Sequence, residues 1–520
     1  MNDPGITTRP APFRGSTFAA LILLLLTAAV AFTWSHVKLL SQDEIFVLQT
    51  DRVSSVRELI HIQRYFPISL DPLVFHLLAH ACTKFLGPTA LALRLPSIFG
   101  FLLMQLCIFL ATRRIAGSTA ALIAMAFPAF TATLFYAPEA RPYGLLLGFY
   151  ALAFLAWQSA TRAETRRTGS LILLAVAIAL TLNAHYFGIL LLIPIVLAEL
   201  ARTILRRRID LAMLAAILLG AAGIVFALPF QRAAGEFRKH YYNAGAISLR
   251  AISQAYRSLF VNYTTQSPAS QRAEAILLTI FAIALVAVSV RRIRSTQISL
   301  PQPELVFLLA LVALPLFGVL LAIFVTHSIE VRYVLAAIIA VAIFFAIAVE
   351  PWLPARFPTP ALTALLAFCI LLGGFIRIRD EQQQSRQILA SLILPPALKS
   401  RLLSLPDSHL YIQDMGHFEL ASYYEPDPAI RRRIALLYSR SEELKYDRHD
   451  TASLTAEHMQ HFTGFTIVSY AQLKSTPGDH MLVEYRSGWD WTDQALAADH
   501  ATITPLGGVF NGDVELIALH

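Results

Sequence analysis

The feature that most constrains this 520-residue chain is a succession of apolar runs from Phe18 to Phe375, most of them about long enough to cross a bilayer, separated by short polar islands. A backbone surrounded by lipid has no water to bond, so each run has to satisfy its own N–H and C=O groups, which an α-helix does. Composition excludes a soluble protein: 56% of the residues are hydrophobic, 15% are charged, and the mean hydropathy is +0.58. The net charge of +8 comes largely from short Arg clusters between the runs. It therefore speaks to membrane orientation first, and no nucleic-acid motif accompanies it. Cys82, Cys107 and Cys369 show no metal-ligand spacing and two of them sit inside apolar runs, which argues against disulfides and a zinc site.

Letting each Arg cluster mark the cytoplasm orders the spans. Phe18 to Trp34 leads out from a basic N-terminus; Ala29–Ala31 also resembles a signal-peptide cleavage site, and in either case Asp43 emerges outside. Leu95–Ala111 runs in to Arg113 and Arg114, and Thr119–Phe135 returns to YAPEARPY, Tyr136 to Tyr143. Leu145–Ala160 enters towards Arg162, Arg166 and Arg167, and Leu171–Leu182 leaves at NAHYF, Asn183 to Phe187. Ile189–Ile204 ends at Arg206 to Arg208, Leu211–Leu228 opens a loop of roughly forty residues, and Ala275–Val290 enters to Arg291, Arg292 and Arg294. Leu305–Val325 exits at HSIEVRY, His327 to Tyr333; Val334–Val349 enters and Leu362–Phe375 exits. The chain thus reads as an α-helical polytopic membrane protein of about eleven transmembrane helices, N-terminus in the cytoplasm and C-terminus outside.

The first outer loop, residues 41–94, reads as interfacial. Val53, Val56, Leu59 and Ile60 recur at helical spacing among Arg52, Arg57, Glu58 and Arg64, so Glu44 to Phe66 predicts an amphipathic helix on the membrane surface. Leu73–Leu86 is apolar but short, and predicts a second interfacial or re-entrant helix. Residues 1–376 form the membrane domain. After Arg377 the composition turns mixed and charged: Asp380–Ser385 reads as a polar linker, and 377–520 as a small α/β or α+β domain outside the membrane, with strands at His409–Gln413, Thr466–Tyr470 and His480–Tyr485.

Carboxylates at a bilayer edge are costly to hold without a task, and Asp43 and Glu44 follow the first span within a few residues. On the same outer edge fall Lys84, Arg94, Glu139 with Arg141 and Tyr143, His185 with Tyr186, and Glu330 with Arg332 and Tyr333. Each has a duller role: Arg332 and Tyr333 as interface anchors, Lys84 snorkelling, His185 bonded at a helix end, Glu139 paired with Arg141 at the surface. Their joint placement favours chemistry on a lipid phosphate. A carboxylate takes a proton from an acceptor, and Arg or Lys neutralises a departing phosphate.

At these residues, from about Phe18 to Ala348, the chain resembles bacterial polytopic glycosyltransferases of the GT-C type, related to dolichyl-phosphate-mannose protein mannosyltransferases and lipid A aminoarabinose transferases. The resemblance rests on the first-loop DE at Asp43 and Glu44, the run DPLVFHLLAHACTKFLGPTALALRLPS from Asp71 to Ser97, EARPY, HYF and the later RYV. It departs at Leu70, Asp71 and Pro72, where relatives often read His-Pro-Pro. It implies a GT-C fold, with Asp43 as catalytic base or acceptor-positioning group and Glu139 as the acid after the third span. The implied reaction is inverting single-displacement transfer from a polyprenyl-phosphate-sugar donor to a lipid, glycan or protein acceptor in the cytoplasmic membrane. No cofactor is required, although the wider fold admits a divalent cation. The competing class is a transporter or flippase, which would place ionisable groups near the midplane and show paired halves. Reporter fusions after Arg208 and after Asp380 should give cytoplasmic and external signals respectively; the opposite pair would sink this topology.

Overall fold

The computed structural model describes residues 13–163, 167–237, 239, 250–260, 276, 279–280, 283–291, 300–326, 330–354, 357–392, 394–405, 408–476, 478–485, 491–509 and 512–519. Its first nine α-helices are α1 (Phe13–Val37), α2 (Gln42–Asp51), α3 (Val56–Tyr65), α4 (Leu73–Leu86), α5 (Ala90–Ala126), α6 (Tyr143–Arg162), α7 (Thr168–Ala184), α8 (Leu192–Arg206) and α9 (Leu211–Ala222). The chain divides into two compact units. One comprises Met1–Ser35, Arg94–Ile224 and Ile247–Arg377; the other His36–Leu93, Val225–Ala246 and Ile378–His520.

The first unit is helical and apolar. Helix α5 is interrupted at Gly117, whose φ of 83° suits a residue without a Cβ, close to Arg113 and Arg114, where the sequence places an inner turn. Helices α5 and α6 touch backbone to backbone: a Cβ on Gly144 would lie 2.2 Å from Ser97 O, and one on Gly100 2.4 Å from Gly144 O. Gly144 and Gly148 form the small-xxx-small stripe that lets membrane helices approach this closely. Polar groups that enter this unit are tied to one another. Arg162 bonds Glu304 at 2.5 and 2.8 Å, and Gln158 donates to the same carboxylate at 2.9 Å. Arg167 and Arg202 converge on Asp210, which itself caps α9 by accepting from Met213 N.

Among the described residues five helices are long and apolar enough to cross a membrane, or six if Gln302–Val312 and Leu314–Phe324, bent by 54°, count as one span. The sequence-based total of eleven is not reached by that criterion. Thr168–Ala184, Leu211–Phe226 and Ala337–Trp352 are shorter apolar helices, and Thr119–Phe135 is joined to its predecessor in the 41-residue stretch Ala90–Phe130. Part of Ala275–Val290, most of the loop after Leu228, and His327 to Ile329 lie outside the described residues. The expected polar linker Asp380–Ser385 is instead part of the helix Thr359–Leu392. The Glu and Gln residues of Asp380–Ser385 are good helix formers, with no Gly or Pro among them to end the helix.

In the second unit the expected single amphipathic helix from Glu44 to Phe66 is two. Ser54 N and Oγ donate to Glu58 Oε2 at 2.9 and 2.6 Å, and Ser55 Oγ accepts from Glu58 N, so a new helix is capped at Ser55. Helix α2 does not lie on a surface: every residue from Glu44 to Asp51 is buried. The Leu73–Leu86 helix forms with the expected bounds.

The C-terminal part is a six-stranded mixed sheet, β1 (Leu410–Ile412), β2 (Ile434–Tyr438), β3 (Thr466–Ser469), β4 (Asp479–Tyr485), β5 (Thr502–Val509) and β6 (Gly512–Ala518), in the order β3-β2-β1-β4-β6-β5. The first four strands are parallel, and β6 runs antiparallel to both its neighbours, β4 and β5. Both faces are covered, as parallel strands require. Leu410, Ile412, Ile434, Leu436, Met481 and Val483 enter one core; Tyr411, Ala435, Leu437 and Leu482 enter another with Trp491. The first of these cores also takes in Phe46 from α2 and Ile68, both from the first loop. Burying a Phe of this kind contributes roughly 1.5–3 kcal/mol.

The helix contact yields a test. Gly144→Ala must push two backbones apart and should cost about 1–3 kcal/mol, read as a lower thermal unfolding midpoint of the purified protein. Gly169→Ala, with nothing within 4 Å of its added carbon, should leave the midpoint unchanged.

Candidate active site

In the helical unit, three polar islands of the sequence converge. Tyr143, first residue of α6 and buried, holds its ring 5.4 Å from that of Tyr136 and 5.6 Å from that of His185. His185, where α7 ends, faces Tyr333 at 4.8 Å, and Tyr333 faces Phe187 at 4.4 Å. The Arg332 guanidinium lies 5.7 Å over the Tyr143 ring. These separations are those of favourable ring pairs and a cation–π contact. His185 Nδ1 accepts from Phe187 N at 3.2 Å, which in the neutral ring leaves the proton on Nε2. The local fold explains the placement. His185 and Glu330 are extended residues that begin short 3₁₀ turns, Tyr186–Leu191 and Val331–Val334, so each turn brings its aromatic residue round.

Glu139 is buried in the same stretch, and its carbonyl accepts from Arg141 N at 2.8 Å. Ser97 Oγ donates to Arg141 O, fixing the EARPY turn on α5. Burial pushes the Tyr136 hydroxyl well up, with Glu139 adding to the shift and Arg332 opposing it. These helix ends therefore hold both signs of charge in partly dehydrated surroundings. Arg94 is fully buried and donates to Ser35 O at 2.8 Å, tying α5 to the end of α1. Tyr186 is half-buried beside His185. An apolar groove of about 750 Å³ in this unit is lined by Tyr256, Ile283, Val286, Ala287, Val290 and Val312.

In the second unit Asp43 lies in the first turn of α2, half-buried, where the helix dipole favours a carboxylate. Glu44 turns back to accept from Ser41 N at 3.0 Å, so its carboxylate serves as a cap. Lys84 is exposed in the last turn of α4. Among the described residues no group of three or more His, Cys, Asp and Glu side chains converges as a metal site would.

Residues 71–231 match the family model described as dolichyl-phosphate-mannose-protein mannosyltransferase. Among solved structures, ArnT from Cupriavidus metallidurans bound to undecaprenyl phosphate aligns over 96% of this chain and 98% of its own, with 12% identity and a TM-score of 0.61. Its apo state aligns over the same shares at 12% identity with a TM-score of 0.60. The chain has the GT-C fold. The archaeal oligosaccharyltransferase AglB from Archaeoglobus fulgidus, in complex with an inhibitory peptide and a dolichol-phosphate, aligns over 91% of this chain and 70% of its own, at 12% identity and TM-score 0.44. No curated protein matches by sequence. The matched family and these structural neighbours are glycosyltransferases. The family match takes in Lys84, Arg94, Glu139, Arg141, Tyr143, His185 and Tyr186 of the GT-C chain, while Asp43, Glu44, Arg332 and Tyr333 fall outside it.

Among the buried acids that sequence reasoning missed, two pack in or beside the first loop. Asp51 Oδ1 bonds His76 Nδ1 at 2.8 Å with both side chains fully buried, and the Asp51 carbonyl meets His80 Nδ1 at 2.8 Å, so α2 and α4 are joined by polar contacts. Burial pushes the Asp51 carboxyl up and His76 opposes it. The second is Glu419, on the helix Met415–Tyr424, completely buried. The available signal was an acid on the apolar face of a short helix, beside Phe418.

Proposed function

We propose that this protein transfers a hexosyl or pentosyl group from a polyprenyl-phosphate donor to a lipid, glycan or protein acceptor, with inversion, at the outer face of the cytoplasmic membrane. The observation that carries the reading is Arg332 over Tyr143, with His185 and Tyr333 beside it, at the ends of apolar helices in a GT-C fold. A cation held against a ring among partly buried groups suits a lipid-borne phosphate. The undecaprenyl phosphate bound to the structurally similar ArnT supports the same donor class. The apolar groove offers room for part of an isoprenoid tail.

In this reading the acceptor hydroxyl or amine attacks the anomeric carbon and its proton passes to Asp43. The bond from that carbon to the phosphate oxygen breaks, and the electron pair leaves with the polyprenyl phosphate. Arg332 and Arg141 take up the charge of the leaving group with paired N–H bonds. Tyr143, His185, Tyr186 and Tyr333 wall the sugar and phosphate, and Glu139 orients the acceptor. Glu44 contributes by capping the helix that carries Asp43. The step balances without a cofactor. The N-terminus lies in the cytoplasm and the C-terminal domain outside.

Asp43→Asn should lower transfer by about 10²–10⁴-fold while the unfolding midpoint stays near wild type, because the charge goes without leaving a cavity. Near-normal transfer by the folded variant would move the base to Glu139.

Arg332→Lys keeps the charge but loses the planar fork and the fit over Tyr143, so polyprenyl-phosphate-sugar binding should weaken by roughly tenfold. Arg141→Lys should weaken it as well. Measured donor affinity unchanged in both variants would place the phosphate elsewhere, with Lys84 next in line.

A further inference from the structure

Helix α5 ends at Ala126, and the chain reaches α6 through two 3₁₀ turns, Phe127–Phe130 and Ala132–Tyr136, joined at Thr131, an extended residue with φ −103° and ψ 173°. Such a stretch lacks the ladder of bonds a helix makes for itself, so inside a membrane domain its carbonyls need other donors. Side chains supply them. Thr131 Oγ1 and Thr133 Oγ1 donate to Pro128 O at 2.9 and 3.2 Å. The next carbonyls, of Ala129 and Thr131, accept from the Arg377 guanidinium, Nη1 at 2.8 Å and Nη2 at 3.0 Å, across 248 and 246 positions of the chain. Ala129, Thr131 and Thr133 are buried.

An arginine near the end of an apolar run ordinarily snorkels to water. Arg377, on the helix Thr359–Leu392, is half-buried and turns its fork onto two carbonyls two residues apart. The turns that it grips lead into the candidate site. Tyr136, the last residue of the second turn, holds its ring 5.4 Å from that of Tyr143, and Glu139 follows three residues on. The far side of the same island is held separately, by Ser97 Oγ on Arg141 O. Ser97 thus fixes the half with Arg141 and Tyr143, and Arg377 the half with Tyr136 and Glu139.

We propose that Arg377 is a positioning residue of the transferase, whose guanidinium holds the carbonyls of Ala129 and Thr131 and so sets Tyr136 and Glu139 in the site. The kinetic part rests on the reading of Glu139 as the group that orients the acceptor. A planar fork with two N–H groups matches two carbonyls at once, whereas a lysine ammonium is a point charge on a flexible stem. In that reading Arg141 and Arg332 hold the donor phosphate without help from this clamp. Its loss therefore falls on turnover, where misplacing an orienting group by an ångström costs about 10²-fold, and spares donor binding.

The test uses the full chain in lipid nanodiscs, comparing Arg377→Gln, Arg377→Lys and, as an exposed neighbour, Arg379→Gln. Hydrogen exchange in Arg377→Gln should rise by about tenfold or more at the amides of Thr131, Thr133 and Leu134, which bond Pro128 O, Thr131 Oγ1 and Thr131 O, and stay as in wild type across α6 and α7. With undecaprenyl-phosphate mannose or undecaprenyl-phosphate arabinose as donor and a native membrane extract as acceptor source, Arg377→Gln should lower kcat by about 10–100-fold and keep the Kd for undecaprenyl phosphate within about threefold. Arg377→Lys should fall between Arg377→Gln and wild type, and Arg379→Gln should match wild type. Unchanged exchange in Arg377→Gln, raised exchange with kcat unchanged, or a loss confined to undecaprenyl phosphate affinity would each overturn the proposal. Should Arg377→Gln open α6 and α7 as well, Arg377→Lys decides: a lower kcat at unchanged affinity supports the clamp, and wild-type kcat overturns it. Exchange as expected, with no transfer by wild type from either donor, overturns the transferase reading and leaves the clamp standing.

Discussion

The burial of helix α2 is the constraint on which the second unit depends. Eight of its ten residues, Glu44 to Asp51, are buried, and Phe46 enters the same apolar core as Leu410, Ile412 and Met481 of the sheet. A helix of ten residues is not stable in water alone, so its conformation is maintained by what it packs against. The contacts reach far along the chain: Leu40 N bonds Tyr424 Oη across 384 positions, and His458 meets the Pro67 carbonyl across 391. The first-turn carboxylate of Asp43 is therefore set in place by the C-terminal fold. The polar contacts between α2 and α4 at Asp51, His76 and His80 fix the other end of the helix.

In the helical unit the corresponding constraint is the close approach of α5 and α6. Gly100, Gly144 and Gly148 remove side chains from the crossing, and the EARPY turn that begins α6 is brought against Ser97. Tyr143 is the residue before Gly144, so the contact that packs the helices also sets the ring beneath Arg332. Packing and candidate chemistry share residues. A change at the crossing is felt at the ring cluster through one peptide unit.

Charge is handled differently in two places. Arg162 and Arg167, which the sequence offers as orientation signals, are bound to Glu304 and Asp210, and Arg202 joins Arg167 on Asp210, so breaking any one pair would leave a partly buried carboxylate undercompensated. The Arg332 guanidinium lies instead over the face of the Tyr143 ring, a cation–π contact.

Much of this was legible in the sequence, because hydropathy and helix formation are local. Apolar runs in lipid must be helical, and so α4, α6 and α7 fall within a few residues of their expected bounds. Tyr143, His185, Arg332 and Tyr333 were legible as members of three polar islands on one edge, since alternating spans bring every second island together. What tertiary structure alone decided concerns contacts between residues far apart in the chain. A surface helix and a core helix can carry the same apolar spacing, and α2 became the second because a sheet hundreds of residues later covers it. Arg94 and Glu44 read as site residues from their charge, and their bonds to Ser35 O and Ser41 N appear only once the chain has folded. Glu419 shows the same limit: its complete burial is not a property of its own stretch of sequence.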